Sequence, residues 1–354
     1  MDNGINMTLL EAMRSTFENW GINHFGIEVT TRCNLNCLMC PRGESQMPEQ
    51  DLPFSLFREI VELMPAESLV DLNGWGEPLL HPQLADMSAL VNARKCIPGF
   101  STNGLLLSEK KAAALMEAGL GYLAFSLDGA SPETYRTVRG GNFERVLRNI
   151  QTMVRLRSGA VFPQISLTFV MLKTNLGDVP DLVRLAARLG VDFIRLKKVD
   201  VFTEADYHQL TYDFNDSYNP AACLTRQQTE TLAEALALGE ELGIGVQVPR
   251  SAERQLPFCW MEPEHTIFVN SVGEFAPCCI LGHSSIRFSF TESHTRFAPF
   301  IFASLQPGRS WFSAEQYNQF CSDIYSRQTP KYCDICPKIT PNVEGVIHHE
   351  SSPI

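Results

Sequence analysis

Strand-like and helix-like stretches alternate along two thirds of this chain, and that alternation limits the available folds. Apolar runs read as strands over 25–30, 69–72, 99–102, 122–127, 165–172 and 193–196. Between them Phe54, Phe57, Ile60, Val61 and Met64 recur at helical spacing, and helices are expected over 82–91, 143–156, 179–189 and 226–242. Ser108 and the run Ser131-Pro132-Glu133 supply helix starts, and Gly190 a helix end. Six β–α units in series imply parallel strands joined by right-handed crossovers. An open doubly wound sheet and a partial barrel both satisfy that pattern. In both, ligands gather at the carboxyl ends of the strands.

The last hundred residues break the alternation. Stretches 266–270 and 274–276 flank Ser271-Val272-Gly273, a hairpin signal, and Ser313 with Gln316 forms a capping box for a helix to about residue 325. The net charge of −11 disfavours nucleic acid as a partner and favours a neutral or cationic substrate. Residues 1–20 lack a secretory signal, and no apolar run reaches the roughly eighteen residues of a membrane span. The expected location is cytoplasmic. In that reducing setting eleven cysteines point to metal chemistry rather than disulfides.

Three of those cysteines, Cys33, Cys37 and Cys40, fall within eight residues, directly after the first strand. Three thiolates can face one inorganic centre. A zinc ion normally takes a fourth ligand, whereas a four-iron cubane held by three cysteines keeps one iron open. A second set, Cys259, Cys278, Cys333 and Cys336, offers four ligands and hence a closed site, for which zinc is the alternative. Cys279 competes with Cys278, since neighbours on a strand point to opposite faces. Cys96 and Cys321 read as buried small side chains.

The triad spacing and its place after the first strand resemble the radical S-adenosylmethionine (SAM) enzymes. The resemblance implies a partial (β/α)6 TIM-like barrel and a [4Fe–4S] cluster on Cys33, Cys37 and Cys40, chelated by S-adenosyl-L-methionine at its open iron. Gly74-Trp75-Gly76-Glu77-Pro78 is similar to the family's glycine-rich methionine-binding motif, with Trp75 replacing a frequent glycine. Ser101-Thr102-Asn103-Gly104 and Ser126-Leu127-Asp128-Gly129 end the third and fourth strands, where the family places polar cofactor contacts. The cofactor-binding set implied is Gly74, Gly76, Glu77, Pro78, Asn103, Ser126, Asp128 and Arg139. Arg139 alternatively reads as a solvated helix-end arginine, and Asp128 as a cap or turn residue. The spacing from Gly273 to Cys278 resembles SPASM or twitch extensions, which implies one auxiliary [4Fe–4S] cluster on Cys259, Cys278, Cys333 and Cys336.

These readings divide the chain into a lead-in (1–24), a radical SAM partial barrel (25–245), a small α+β SPASM/twitch iron–sulfur domain (257–340) and a tail (341–354). The expected activity is reductive cleavage of S-adenosylmethionine to a 5′-deoxyadenosyl radical that abstracts hydrogen from a polar small molecule, sugar- or aminocyclitol-like. Three roles are open to the auxiliary cluster: accepting the electron left on the substrate, which makes the reaction a net oxidation, binding substrate, or only stabilising the fold. Flavodoxin or ferredoxin is the expected reductant. Two alternatives are a maturase acting on a ribosomal peptide, for which 1–24 is short as a recognition domain, and a non-enzymatic metal-binding or electron-transfer protein. Cys223 is a candidate hydrogen donor or acid, against a plain packed cysteine. It closes a long loop carrying Asp200, Glu204, Asp206, Tyr207, His208, Tyr212, Asp213 and Tyr218. His81 reads as structural, and the pair His348-His349 as incidental.

Overall fold

The computed structural model describes residues 7–43, 47–198, 226–248, 258–259, 261–283, 299–326, 333 and 339–340. Cys223, Cys336, His348, His349 and the acidic and aromatic loop residues 200–218 lie outside them. The strands are β1 (His24–Ile27), β2 (Leu69–Asp71), β3 (Ile97–Thr102), β4 (Tyr122–Ser126), β5 (Gln164–Met171), β6 (Phe193–Lys198), β7 (Gly245–Gln247), β8 (Phe258–Cys259), β9 (Thr266–Val269), β10 (Glu274–Ala276), β11 (Ala303–Ser304), β12 (Trp311–Phe312) and β13 (Ile339–Thr340). The helices are α1 (Met7–Trp20), α2 (Phe54–Val61), α3 (Leu84–Ala93), α4 (Glu109–Glu117), α5 (Pro132–Arg139), α6 (Phe143–Arg157), α7 (Val179–Leu189), α8 (Arg226–Leu242) and α9 (Ala314–Tyr325). Among the described residues, no helix is long and apolar enough to cross a membrane.

Strands β1 to β7 pair in sequence order, all parallel, with helices between them. This is the parallel α/β arrangement expected from the alternation, of the partial-barrel kind that the resemblance implies, with β7 as an additional strand after α8. Alternation sets the two faces of each strand. Leu123 and Phe125 of β4 are buried toward the helices, while Tyr122, Ala124 and Ser126 face the interior and are only half-buried. The helix starts form as their residues dictate. The Ser108 hydroxyl accepts from the Lys111 N–H, Ser131 from Thr134, Asn142 from Arg145 and Ser313 from Gln316. Gly190 ends α7 at φ 73°, a left-handed conformation that favours glycine.

The expected hairpin is present, and it does not form a sheet of its own. β9 lies parallel to β1, with His24 opposite Thr266 and Ile27 opposite Val269. β10, β11 and β12 extend the sheet antiparallel beyond it. Among the described residues, this one sheet runs β12-β11-β10-β9-β1-β2-β3-β4-β5-β6-β7. Helix α1 fastens the junction. Phe17 is fully buried, with its ring 6.1 Å from Phe25 on β1 and 6.2 Å from Phe275 on β10. Burying such a side chain contributes about 1.5–3 kcal/mol.

Candidate active site

The carboxyl end of β1 leads directly into the cysteine loop, and the neighbouring strand ends hold that loop by its backbone. The Leu38 N–H donates to the Val138 carbonyl near the end of α5 at 2.9 Å, and Leu38 and Met39 pack on Val138 and Leu172. Asn103, after β3, donates from Nδ2 to Asn34 Oδ1 at 2.9 Å. The loop's root is tied down by Arg32, whose fork grips Asp51 at 3.0 and 2.6 Å and reaches the Leu80 carbonyl at 2.9 Å.

The Gly74–Pro78 segment lies against the same root. The Glu77 N–H donates to the Arg32 carbonyl at 2.7 Å. A Cβ on Gly76 would stand 2.2 Å from the Thr30 carbonyl oxygen and 2.7 Å from that of Arg32. Only glycine allows the two backbones to come so close. The Glu77 carboxylate is occupied within the protein: it accepts from Thr102 Oγ1 at 2.6 Å, the Asn103 N–H at 2.8 Å and the Leu79 N–H at 3.1 Å. Burial pushes its carboxyl up, and those donors oppose the shift. Glu77 therefore braces the site, and the segment presents its backbone to any ligand.

Asp128 and Arg139 form a buried pair. Arg139 Nε donates to Asp128 Oδ2 at 2.6 Å, and the Val170 N–H donates to Asp128 Oδ1 at 2.6 Å. The solvated reading of Arg139 is thereby corrected. Its side chain is 11 % exposed because Asp128, 0 % exposed, draws it inward. From the same guanidinium Nη1 reaches Cys37 Sγ at 3.7 Å. Burial pushes the Cys37 thiol up to about 11, with Arg139 opposing. Cys33 and Cys40 are raised for the same first reason. Without a metal's positive charge these groups stay as thiols. Ser126 ends β4, and among the described residues its hydroxyl has no protein partner.

Glu28, just beyond β1, is a residue that sequence reasoning missed. It is fully buried. Its carboxylate accepts from the Trp75 N–H at 2.9 Å and the Ser271 N–H at 3.3 Å, and lies 3.0 Å from His283 Nε2. One side chain thus joins the glycine-rich segment to the β9–β10 turn. The available signal was an acid in a strand directly before the cysteine loop. His81 is structural as expected, with Nε2 toward the Leu52 carbonyl and Nδ1 accepting from the Gln83 N–H, both at 3.1 Å.

Residues 27–196, from the last residue of β1 into β6, match the Radical SAM superfamily. The chain carries a radical SAM domain. Members of that superfamily are enzymes, and the relatives that this chain resembles are named as a cofactor-modifying protein and as cyclases. The chain is 27 % identical over 271 residues to a tungsten-containing aldehyde ferredoxin oxidoreductase cofactor-modifying protein of Pyrococcus furiosus, covering 75 % of this chain and 73 % of that protein. A GTP 3′,8-cyclase of Desulforamulus reducens is 35 % identical over 146 residues, covering 39 % of this chain and 44 % of the cyclase. The solved structure of native anSMEcpe with bound AdoMet and Cp18Cys peptide shares the fold, with a TM-score of 0.60 at 14 % identity, covering 88 % of this chain and 87 % of that one.

Beside the radical SAM domain, Cys259, Cys278 and Cys333 are buried in one apolar group with Ile280, Leu281, Phe320 and Ile324. Cys279, Cys321 and Trp75 pack against this group. Cys321 is only half-buried, and burial pushes its thiol up to about 12. Trp75 ties the glycine-rich segment to this group: its Nε1 donates to the Cys279 carbonyl at 3.3 Å. Cys96 lies elsewhere, buried, with Sγ donating to the Pro65 carbonyl at 3.2 Å.

Proposed function

We propose that this enzyme holds a [4Fe–4S] cluster on Cys33, Cys37 and Cys40, cleaves S-adenosylmethionine, and modifies a polar small molecule. The carrying observation is the cysteine loop at the end of β1, with the Gly76 backbone pressed to its root and Arg139 at Cys37. The residues fit the group. Three thiols share one loop, a donor set that leaves one iron of a cubane open to a ligand. The Gly74–Pro78 backbone offers carbonyls to an ammonium, and the unpartnered Ser126 hydroxyl faces the same interior. When bound, the cluster supplies the electron that breaks a sulfur–carbon bond of S-adenosylmethionine, and the released 5′-deoxyadenosyl radical takes a hydrogen atom from the substrate.

The chain's own residues position and shield. Asp128 fixes Arg139, and Arg139 keeps one cationic donor at Cys37. Thr102, Asn103 and Leu79 lock Glu77, so the glycine-rich backbone is preorganised. Cys259, Cys278, Cys333 and Cys336 would hold an auxiliary cluster. Flavodoxin or ferredoxin would supply the electron.

The small-molecule reading draws support from the Pyrococcus relative, which is named for modifying a cofactor and matches three quarters of the chain. A peptide substrate is the second reading, favoured by the peptide held in the similar fold of anSMEcpe. Anaerobic reconstitution with dithionite is the test. The wild type forms 5′-deoxyadenosine, and Cys33→Ala, Cys37→Ala and Cys40→Ala each abolish it. A wild type that forms none removes this reading. Deuterium transfer from labelled sugars, aminocyclitols, cofactor precursors and peptides into 5′-deoxyadenosine then separates the substrate classes.

A further inference from the structure

Among the described residues, the interior face of the barrel at β4 to β7 is polar. Register sets Ser126 of β4 beside Thr168 of β5, Thr168 beside Arg195 of β6, and Arg195 beside Gln247 of β7. Phe125, Leu167 and Ile194, one residue earlier on each of β4 to β6, are fully buried against the helices. Alternation therefore turns Ser126, Thr168 and Arg195 inward.

The acids on this face are already engaged. Asp71 meets His24 Nε2 at 2.8 Å, the Tyr122 hydroxyl, and Asn73 Nδ2 at 3.2 Å. Asp128 is held by Arg139. The cation of the row is not neutralised. Arg195 donates from Nε to Gln247 Oε1 at 3.0 Å, and its guanidinium carbon lies 5.7 Å from the centre of the Phe193 ring. Among the described residues, neither terminal nitrogen has a partner. Lys197 lies two residues further on the same face, and its charge acts on Asp128. Thr168 is 7 % exposed, and among the described residues its hydroxyl has no protein partner. That buried hydroxyl is costly to leave unmet, and Arg195 beside it is exposed and open to a ligand.

We propose that Arg195, with Thr168 beside it, binds an oxyanionic group of the substrate, a carboxylate or a phosphate, in the row that also contains Ser126. The proposal rests on the radical-enzyme reading above and gives its substrate a charge. The guanidinium fork takes two oxygens at once. The expectation of a neutral or cationic substrate is reversed, because the net charge of −11 describes the whole chain and not this interior face.

The test titrates the full reconstituted chain with inorganic phosphate and, separately, with succinate, by calorimetry at fixed ionic strength. The wild type binds one of the two saturably, which separates phosphate from carboxylate. Arg195→Gln weakens that binding about tenfold or more, the loss expected for a charged hydrogen bond. Arg195→Lys recovers part of it, and Thr168→Val gives a smaller loss. Melting curves and iron content of each variant show that it is folded. Equal, non-saturating responses from the wild type and Arg195→Gln overturn the proposal. Formation of 5′-deoxyadenosine by the wild type is a separate measurement. Its absence defeats the enzyme reading and leaves the anion result to be judged alone.

Discussion

Asp128→Asn removes one charge and almost no volume from the buried pair beside Cys37. The new amide oxygen still accepts the Val170 N–H, which donates at 2.6 Å. Its NH2 group then faces Arg139 Nε, so two donors meet where a charge-assisted bond of 2.6 Å stood. Arg139, 11 % exposed, keeps its charge and loses its counter-ion. Breaking a buried pair from one side costs about 3–5 kcal/mol. With a urea slope of about 3 kcal/mol per molar, the unfolding midpoint falls by about 1–1.7 M. Urea melts of metal-free protein followed by circular dichroism read this directly. Adding Arg139→Met to Asp128→Asn removes the stranded cation and restores most of the loss, since apolar replacement of both partners is often neutral. A loss below about 1 kcal/mol, the scale of an exposed ion pair, refutes the buried-strut account. So does a double variant no more stable than the single one.

Gly76→Ala places a methyl 2.2 Å from the Thr30 carbonyl oxygen, so the segment must withdraw from the cysteine loop. The expected cost is about 1–3 kcal/mol in urea melts, together with weaker S-adenosylmethionine binding in equilibrium dialysis. Tyr135→Phe acts in the opposite direction, because the Tyr135 hydroxyl is buried without a hydrogen-bond partner. Melts at neutral pH should show no loss, or a gain of up to about 1 kcal/mol. Burial also pushes the Tyr135 phenol up from 10.0 to about 12. A raised acid keeps its proton longer when folded, so the wild type has full stability below pH 10 and loses it as pH rises toward about 12. Tyr135→Phe lacks that component, and its stability curve is flatter across the same range.

The features legible in the sequence were local ones. A serine cap and the N–H it satisfies lie three residues apart, as at Ser108 and Lys111 or Ser313 and Gln316. Strand periodicity likewise identified β2 to β6 and the helices between them. Partners distant along the chain were not legible. Periodicity marked 266–270 as a strand but could not name β1 as its neighbour, because alternation carries no information about pairing. The three-residue β7 is too short for alternation to mark it and is defined by its pairing with β6. At the site, residue types and their order along the strands were readable, and burial was not. Arg139 looked equally plausible in solvent until Asp128, on the other side of a helix start, drew it inward. Glu28 looked like one polar position in a strand, and only the fold brings Trp75, Ser271 and His283 to it.

The parallel seam between β1 and β9 sets a timetable. A chain emerging from the ribosome delivers the cysteine loop early and residues 266–269 late. Until then the first strand has β2 on one side and an unpaired edge on the other, and Glu28 lacks Ser271 and His283. Unpaired edges recruit foreign strands, and pairings this remote form slowly. Truncation before residue 266 would accordingly do more than delete a C-terminal region. It would return the cysteine-bearing strand to its nascent, open-edged state, so shortened versions of this chain should be prone to aggregation.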